Sequence, residues 1–225
     1  YTLNRDADAN LTISSPLEAN RPTAIVQCIV GVDVGYENPV FASLETDYAD
    51  ADADPTGEAL ARTEKRLTYY ELDLGLNHVV RRWTEPVDRS AHHLISVPGG
   101  YNYSTEAWDG PSGVLVCIDD YIVYRHPDQP PHIVPIPVRE NASIHRGSMI
   151  VASVLHKMKT SFFLLVQNED GDLFKVTVEH DEEQVKAVRI KYFDTVPVSA
   201  SLCILRSGYL FVASDSGSQC LYACL

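Results

Sequence analysis

The side chains in this sequence whose types and spacing could do chemistry are two acidic clusters, a histidine pair, a cysteine pair and one serine between glycines. Asn168-Glu169-Asp170-Gly171-Asp172 sets three carboxylates around a glycine, and Asp50-x-Asp52-x-Asp54 sets three on alternate positions. A calcium loop needs oxygen ligands at fixed positions, a glycine sixth and a bidentate acid twelfth. Placing Gly171 sixth puts Val166 first and Thr177 twelfth; starting from Asp50 puts Pro55 sixth and Ala61 twelfth. Neither cluster completes the ligand set, and both read as solvated acidic loops. Cys220-x-x-x-Cys224 has a spacing that zinc can use, but it lies on a predicted strand with no second ligand pair. His92 and His93 are adjacent, so on a strand their rings point to opposite faces, which argues against a metal pair. Ser112 in Gly110-Pro111-Ser112-Gly113 is the nearest approach to a nucleophile elbow, and its surroundings read as a turn before a strand. Paired carboxylates do acid–base work only where their environments push their pKa values apart, and these sit on exposed-looking loops. The reading is of a non-enzymatic protein with no catalytic, cofactor-binding or metal-ligating residue; a hydrolase using the acidic loops is the remote alternative.

Binding is the other use for such residues. Tyr101-Asn102-Tyr103-Ser104-Thr105-Glu106-Ala107-Trp108 is an aromatic stretch between turn signals. Tyrosine and tryptophan on a loop are typical interface anchors, so Tyr101, Tyr103 and Trp108 are candidate partner contacts. The alternative is that the loop folds back on its own sheet. Asp50, Asp52 and Asp54 are the candidate acidic contacts. With 18 Lys+Arg against 31 Asp+Glu the net charge is −13, which repels phosphate and argues against broad nucleic-acid or anionic-membrane binding. His145, Arg146, His156, Lys157 and Lys159 form the one obvious basic cluster, read as a solvated edge. The cysteines Cys28, Cys117, Cys203, Cys220 and Cys224 are odd in number and irregular in spacing, which fits buried free thiols. No apolar run approaches the ~20 residues of a membrane-spanning helix.

The elements that must position these groups are strands. Apolar runs of four to eight residues recur, separated by Gly, Pro, Asn and Asp clusters. In Phe162-Phe163-Leu164-Leu165-Val166 both faces are apolar, as in a strand covered on both sides. From Leu173 to Glu179 only alternate residues are apolar, as in a half-exposed strand. Asp170-Gly171 then supplies the tight turn between the two, with its carboxylates keeping the tip in water. The same strand, acidic turn, strand unit recurs around Asp119-Asp120 and around Ser214 to Ser218. Groups of strands start near Ile25, His92, Met149 and Val198, which are 67, 57 and 49 residues apart. Without the insertions at 46–66 and 101–108 the period is about 45–50 residues, the range of four-stranded propeller blades. The expected organisation is an all-β, WD-type β-propeller fragment over 1–225. Its parts are the end of a blade at 1–24, blades at 25–91, 92–148 and 149–197, and an incomplete blade at 198–225. One helical segment is expected, Asp54 to Ala61, with Asp54 as N-cap and Pro55 at the first helical position, in a mobile loop.

Several long strings carry a family resemblance. They are LTISSPLEA (Leu11–Ala19), GVDVGYENPVFASLETDYADADADPTGEA (Gly31–Ala59), LTYYELDLGLNHVVR (Leu67–Arg81), DGPSGVLVC (Asp109–Cys117), KYFDTVPV (Lys191–Val198) and LFVASDSG (Leu210–Gly217). Over nearly its whole length the chain resembles the first propeller of the family of large three-propeller subunits of splicing factor 3b. The resemblance implies about four blades of a seven-bladed propeller in a nuclear scaffold without enzymatic activity or cofactor. It implies action in pre-mRNA splicing, in the small nuclear ribonucleoprotein that selects the branch site. The implied partners are the HEAT-repeat subunit, a small helical subunit and the other propellers of the parent chain, with RNA contact indirect or minor. An acidic surface agrees with basic protein segments as partners. Related propeller families, the adaptors of cullin ubiquitin ligases and a cleavage-and-polyadenylation subunit, give the alternative function. The Tyr101–Trp108 stretch departs from the family pattern, which is expected to pass from Pro98-Gly99-Gly100 almost directly to Asp109-Gly110-Pro111.

Overall fold

The computed structural model describes residues 1–19, 21–33, 38–102, 104, 106–138, 147–159, 161–217 and 219–223. The fold is all-β. β1 (Leu3–Arg5) and β2 (Leu11–Ile13) form a small hairpin. β3 (Ala24–Val32) and β4 (Val40–Asp47) are followed by two short helices, α1 (Ala49–Ala53) and α2 (Glu58–Arg62). β5 (Lys65–Asp73) and β6 (His78–Val87) then complete an antiparallel sheet ordered β3-β4-β5-β6. β7 (His93–Ser96) leads to a separate two-stranded hairpin, β8 (Tyr101–Asn102) and β9 (Ala107–Trp108). β10 (Val114–Ile118), β11 (Tyr121–His126) and β12 (Gln129–Pro135) join β7 in the second sheet. β13 (Ile150–Lys157), β14 (Phe162–Asn168), β15 (Asp172–Asp181) and β16 (Gln184–Thr195) make the third. β17 (Ser201–Ile204), β18 (Tyr209–Ala213) and β19 (Cys220–Ala223) make a fourth, of three strands among the described residues.

The first strands of successive sheets adjoin: β3 lies beside β7, β7 beside β13, and β13 beside β17. They run the same way. At their starts, His92 Nε2 sits 3.0 Å from the Ile150 carbonyl oxygen; at their ends, Lys157 Nζ is 3.3 Å from the Asp33 carboxylate. Sheets that share a line of first strands and fan outwards are propeller blades. Strand alternation then places a core in every gap. Leu44, Leu67 and Tyr69 of the first sheet meet Leu94, Val114 and Val116 of the second. Leu115, Ile122 and Tyr124 meet Leu164, Val166 and Phe174 of the third. Leu165 and Leu173 meet Leu202, Leu210 and Val212 of the fourth. β14 thus buries Leu164 and Val166 on one side and Leu165 on the other, which is why its sequence is apolar throughout. Phe163 is the exception. It is half-buried, with the Lys175 ammonium 4.6 Å above its ring.

The connection from the third sheet to the fourth is held by a buried amide. Gln167 Nε2 donates to the carbonyl oxygens of Gly171, Val196 and Pro197, while its Oε1 accepts from the Ser199 N–H and hydroxyl. The turn ahead of β15 matches its sequence reading at Gly171, whose φ is +87°, and a Cβ there would lie 2.4 Å from the Val196 carbonyl oxygen. It differs at its neighbours. Asp172 is only 3% exposed, and its Oδ1 accepts from the Thr195 hydroxyl at 2.5 Å. Asn168, also buried, accepts the N–H groups of Asp170 and Asp172 on its Oδ1. Only Asp170 serves as an exposed tip.

Three further expectations are corrected. The segment 54–61, expected as one Asp54-capped helix, is a turn leading into α2, which starts only at Glu58 with Gly57, at φ +78°, in its N-cap position; Asp54 instead ends α1, a helix that was not expected. Pro55 sits in the turn between them, where its missing N–H costs nothing. The strands run further into the acidic insertion than expected, to Asp47 on one side and from Lys65 on the other. Of the thiols expected to be buried, Cys117 is; Cys28 and Cys220 are half-buried and Cys203 is exposed, because it alternates onto the outer face of β17. Cys224, His145 and Arg146 lie outside the described residues.

Candidate functional site

The two groups of candidate contacts stand at opposite ends of the sheets. The acidic insertion follows β4 and lies where β3 starts; its Tyr48 N–H bonds to the Thr23 carbonyl. The aromatic stretch follows β7 and lies where the first strands end, and there a Cβ on Gly99 would meet the Asp33 carbonyl oxygen at 2.3 Å.

At the acidic end the three aspartates do different things. Asp54 is used up locally: Oδ1 accepts from the Thr56 hydroxyl at 2.6 Å and its N–H at 2.9 Å, and Oδ2 accepts from the Ala59 N–H at 2.7 Å. Those bonds, the Thr56 hydroxyl first, hold its carboxyl below the usual range. Asp54 therefore does the work of a cap from outside the helix. Asp50 and Asp52 are exposed in the first turn of α1. Arg89, in the exposed turn between β6 and β7, ties α2 to that turn by donating to the Ala61 carbonyl. Asp50 faces a polar cavity of about 510 Å³ whose walls include Arg21, Glu45, Asp47, Arg66 and Arg81; Asp52 and Asp54 do not line it.

Glu45 is the residue that sequence reasoning missed. It is 7% exposed on β4 and takes hydrogen bonds from the hydroxyls of Thr68 at 2.6 Å, Tyr70 at 2.9 Å and Ser43 at 3.2 Å. Burial, then the bond to Glu45, pushes the Tyr70 hydroxyl well above its ordinary value. The available signal was Ser43-x-Glu45 on one strand and Thr68-x-Tyr70 on the next, polar residues in step on facing strands. A half-buried carboxylate, Glu85 on β6, pairs with Arg125 on β11 at 2.5 Å across two sheets. Burial raises its carboxyl, against the pull of the arginine.

At the aromatic end the stretch is a hairpin rather than a loose loop. Tyr101 and Trp108 are paired across it, with rings 5.7 Å apart at 77°, edge to face. Tyr103 lies outside the described residues. The hairpin is closed at its base by the Asp109 N–H to the Gly100 carbonyl at 3.0 Å, and the Asn102 amide donates to Asp109 at 3.2 Å. A groove of about 630 Å³ separates it from the β13–β14 connection, lined by Trp108, Asp109, Lys157, Met158, Lys159 and Phe162 among others. The hairpin therefore reaches beyond its own sheet towards the next one.

The remaining candidates are structural. His92 bonds to the Ser90 and Ile150 carbonyl oxygens and His93 to the Ser153 hydroxyl, so both rings join sheets. Burial first, then the neighbouring His92, lowers the pKa of His93. Ser112 has φ +64° in the turn before β10 and lies buried behind Gly99. Among the described residues no three His, Cys, Asp or Glu side chains gather in a way that could hold a metal ion.

Comparison with known proteins agrees with this architecture. A family model described as the RSE1/DDB1/CPSF1 first beta-propeller matches residues 1–224. Pre-mRNA-splicing factor RSE1 of Mycosarcoma maydis is 66% identical over 227 residues, covering 99% of this chain and 19% of that protein. Splicing factor 3B subunit 3 of Danio rerio is 55% identical, and Spliceosome-associated protein 130 A of Arabidopsis thaliana 50% identical, each over 99% of this chain and 18% of the relative. The chain thus spans about a fifth of the length of the curated relatives it matches.

Proposed function

Since the chain belongs to the RSE1/DDB1/CPSF1 first beta-propeller family, we propose that it is a non-enzymatic protein-binding scaffold acting in pre-mRNA splicing. The observation that carries this reading is the 50–66% identity, along the whole chain, to proteins named as splicing factors. A rigid set of blades presents rim and end loops to partners, and its mechanism is geometric. The partners proposed are the HEAT-repeat and small helical subunits of splicing factor 3b and the other propellers of the parent chain, in the nucleus. The acidic balance favours basic protein segments over RNA backbone. We read 1–24 as the end of one blade, 25–91, 92–148 and 149–197 as blades, and 198–225 as part of another. The outer face of the fourth sheet supports that division: Tyr209, Phe211 and Leu221 lie on it exposed, as on a blade that another blade covers.

The test is affinity purification of the intact parent protein from nuclear extract, with proteins and RNAs identified. Recovery of the HEAT-repeat splicing subunit with the branch-site small nuclear RNA is expected. Recovery of cullin components or polyadenylation factors in their place would overturn the splicing assignment and favour the alternative role of a ligase adaptor or cleavage-factor subunit.

A further inference from the structure

Of the 13 prolines in the chain, one follows a hydroxyl residue: Pro16, after Ser15. The segment that carries this pair joins the β1–β2 hairpin to the first sheet. The hairpin closes just before it, where the Ser14 N–H donates to the Thr2 carbonyl at 2.9 Å. From Ser14 to Ala19 the chain is neither helix nor strand, and Ser15, Pro16 and Glu18 are exposed. Pro16 restrains Ser15 as well, because the proline ring clashes with a helical residue before it and leaves extended backbone as the favoured state.

The two neighbouring serines differ. Ser14 is half-buried and its hydroxyl is used twice, accepting from the Thr2 N–H and donating to the Ser15 carbonyl, each at 2.8 Å. The Ser15 hydroxyl has no partner among the described residues. A hydroxyl that enters the active site of another enzyme must be free of partners and in water. It must also lie on chain that can be drawn out without breaking a ladder or a helix. Ser15 meets each condition, and Ser14 fails the first two.

We infer that Ser15 is a phosphorylation site for a proline-directed serine/threonine kinase. The γ-phosphoryl group of ATP is transferred. The bond between phosphorus and Ser15 Oγ forms as the bond from the γ-phosphorus to the β,γ-bridging oxygen breaks. ADP leaves, and the hydroxyl proton passes to a carboxylate of the kinase. Pro16 selects the class of kinase: it has no N–H, so the segment suits a site that asks for none at that position. The phosphate adds about −1.5 to −2 of charge to a protein already at −13. Since the Ser15 hydroxyl has no hydrogen bond to lose among the described residues, the change falls on surface charge and not on the fold. The inference does not depend on the scaffold reading.

The experiment takes the intact parent protein, purified from growing cells with phosphatases inhibited, and reads the peptide containing Ser15 by mass spectrometry. Phosphate located on Ser15 is expected, with its loss on Ser15→Ala. The parent protein, dephosphorylated and native, is then given ATP and a cyclin-dependent kinase. Transfer to Ser15 is expected in wild type and in Glu18→Ala, and its loss is expected in Pro16→Ala, which keeps the acceptor hydroxyl. Unchanged melting of the three variants keeps the comparison valid. Three outcomes overturn the inference. The first is a peptide recovered from cells only in its unmodified form. The second is transfer that survives Pro16→Ala, with loss on Glu18→Ala assigning the serine to an acid-directed kinase instead. The third is transfer that occurs only after denaturation, which would place Ser15 under another part of the parent protein.

Discussion

Glu45 shows how a single side chain is held where a charge would otherwise be costly. Three hydroxyls from β4 and β5 donate to its carboxylate. Replacing it with leucine leaves the buried Tyr70 hydroxyl without its acceptor and the Thr68 hydroxyl with Thr84 alone. The expected loss is about 2–4 kcal/mol in urea denaturation of the chain, and a loss under about 0.5 kcal/mol would mean that the network is dispensable. Glu71 is the opposite case, at the surface. The Arg82 guanidinium, bonded to both carboxylate oxygens, and then the Asn38 amide hold its pKa down to about 2. A depressed carboxylate stabilises the fold above its unfolded value, here 4.5, and that contribution is lost as pH falls towards 2. Carboxyl NMR titration should find the low midpoint, and Arg82→Gln should move it up. Glu71 was not legible in the sequence, and Glu45 left only the signal of polar residues spaced in step on two strands. Both owe their state to cross-strand partners, Glu45 to Thr68 and Tyr70, Glu71 to Arg82, and strand register is not a local property.

At the scale of elements, the turn joining β14 to β15 separates what a sequence shows from what it hides. Gly171 was legible because a tight turn needs a positive φ, and its tight fit against Val196 strengthens the case. Gly171→Ala should destabilise the chain by about 2 kcal/mol or more, and Asp170→Ala by no more than about 0.5 kcal/mol. Equal melting shifts for the two would contradict this account of the turn. Asp172 was misread with its neighbours because an acidic residue beside a turn usually faces water; here the Thr195 hydroxyl, across the β15–β16 ladder, gives it a buried partner. The double-sided apolar run of β14 was legible as a strand covered by a sheet on each side. The half-burial of Phe163 was not, because it depends on Lys175 lying across the ring. The helices after β4 were misplaced for a similar reason. Asp54 has the composition of an N-cap, but it acts across a turn on Ala59 while Gly57 takes the cap position.

For the molecule as a whole, the period of sheets was legible because every gap between them repeats the same demand for alternating apolar residues. The ends of the stack follow different rules. The outer face of the fourth sheet carries Tyr209, Phe211 and Leu221, with Leu221 57% exposed. The chain by itself should therefore bind a hydrophobic dye, and Phe211→Glu with Leu221→Glu should abolish most of that signal; dye binding unchanged by the pair would place the sticky surface elsewhere. The central claim, that this chain is a splicing scaffold blade set, is tested most directly by exchange. The matching segment of Pre-mRNA-splicing factor RSE1 in Mycosarcoma maydis, 66% identical, would be replaced by these 225 residues and intron retention measured by RNA sequencing. The account predicts growth with introns removed as in the parent strain. A stable exchanged protein that leaves introns retained throughout the transcriptome would contradict it.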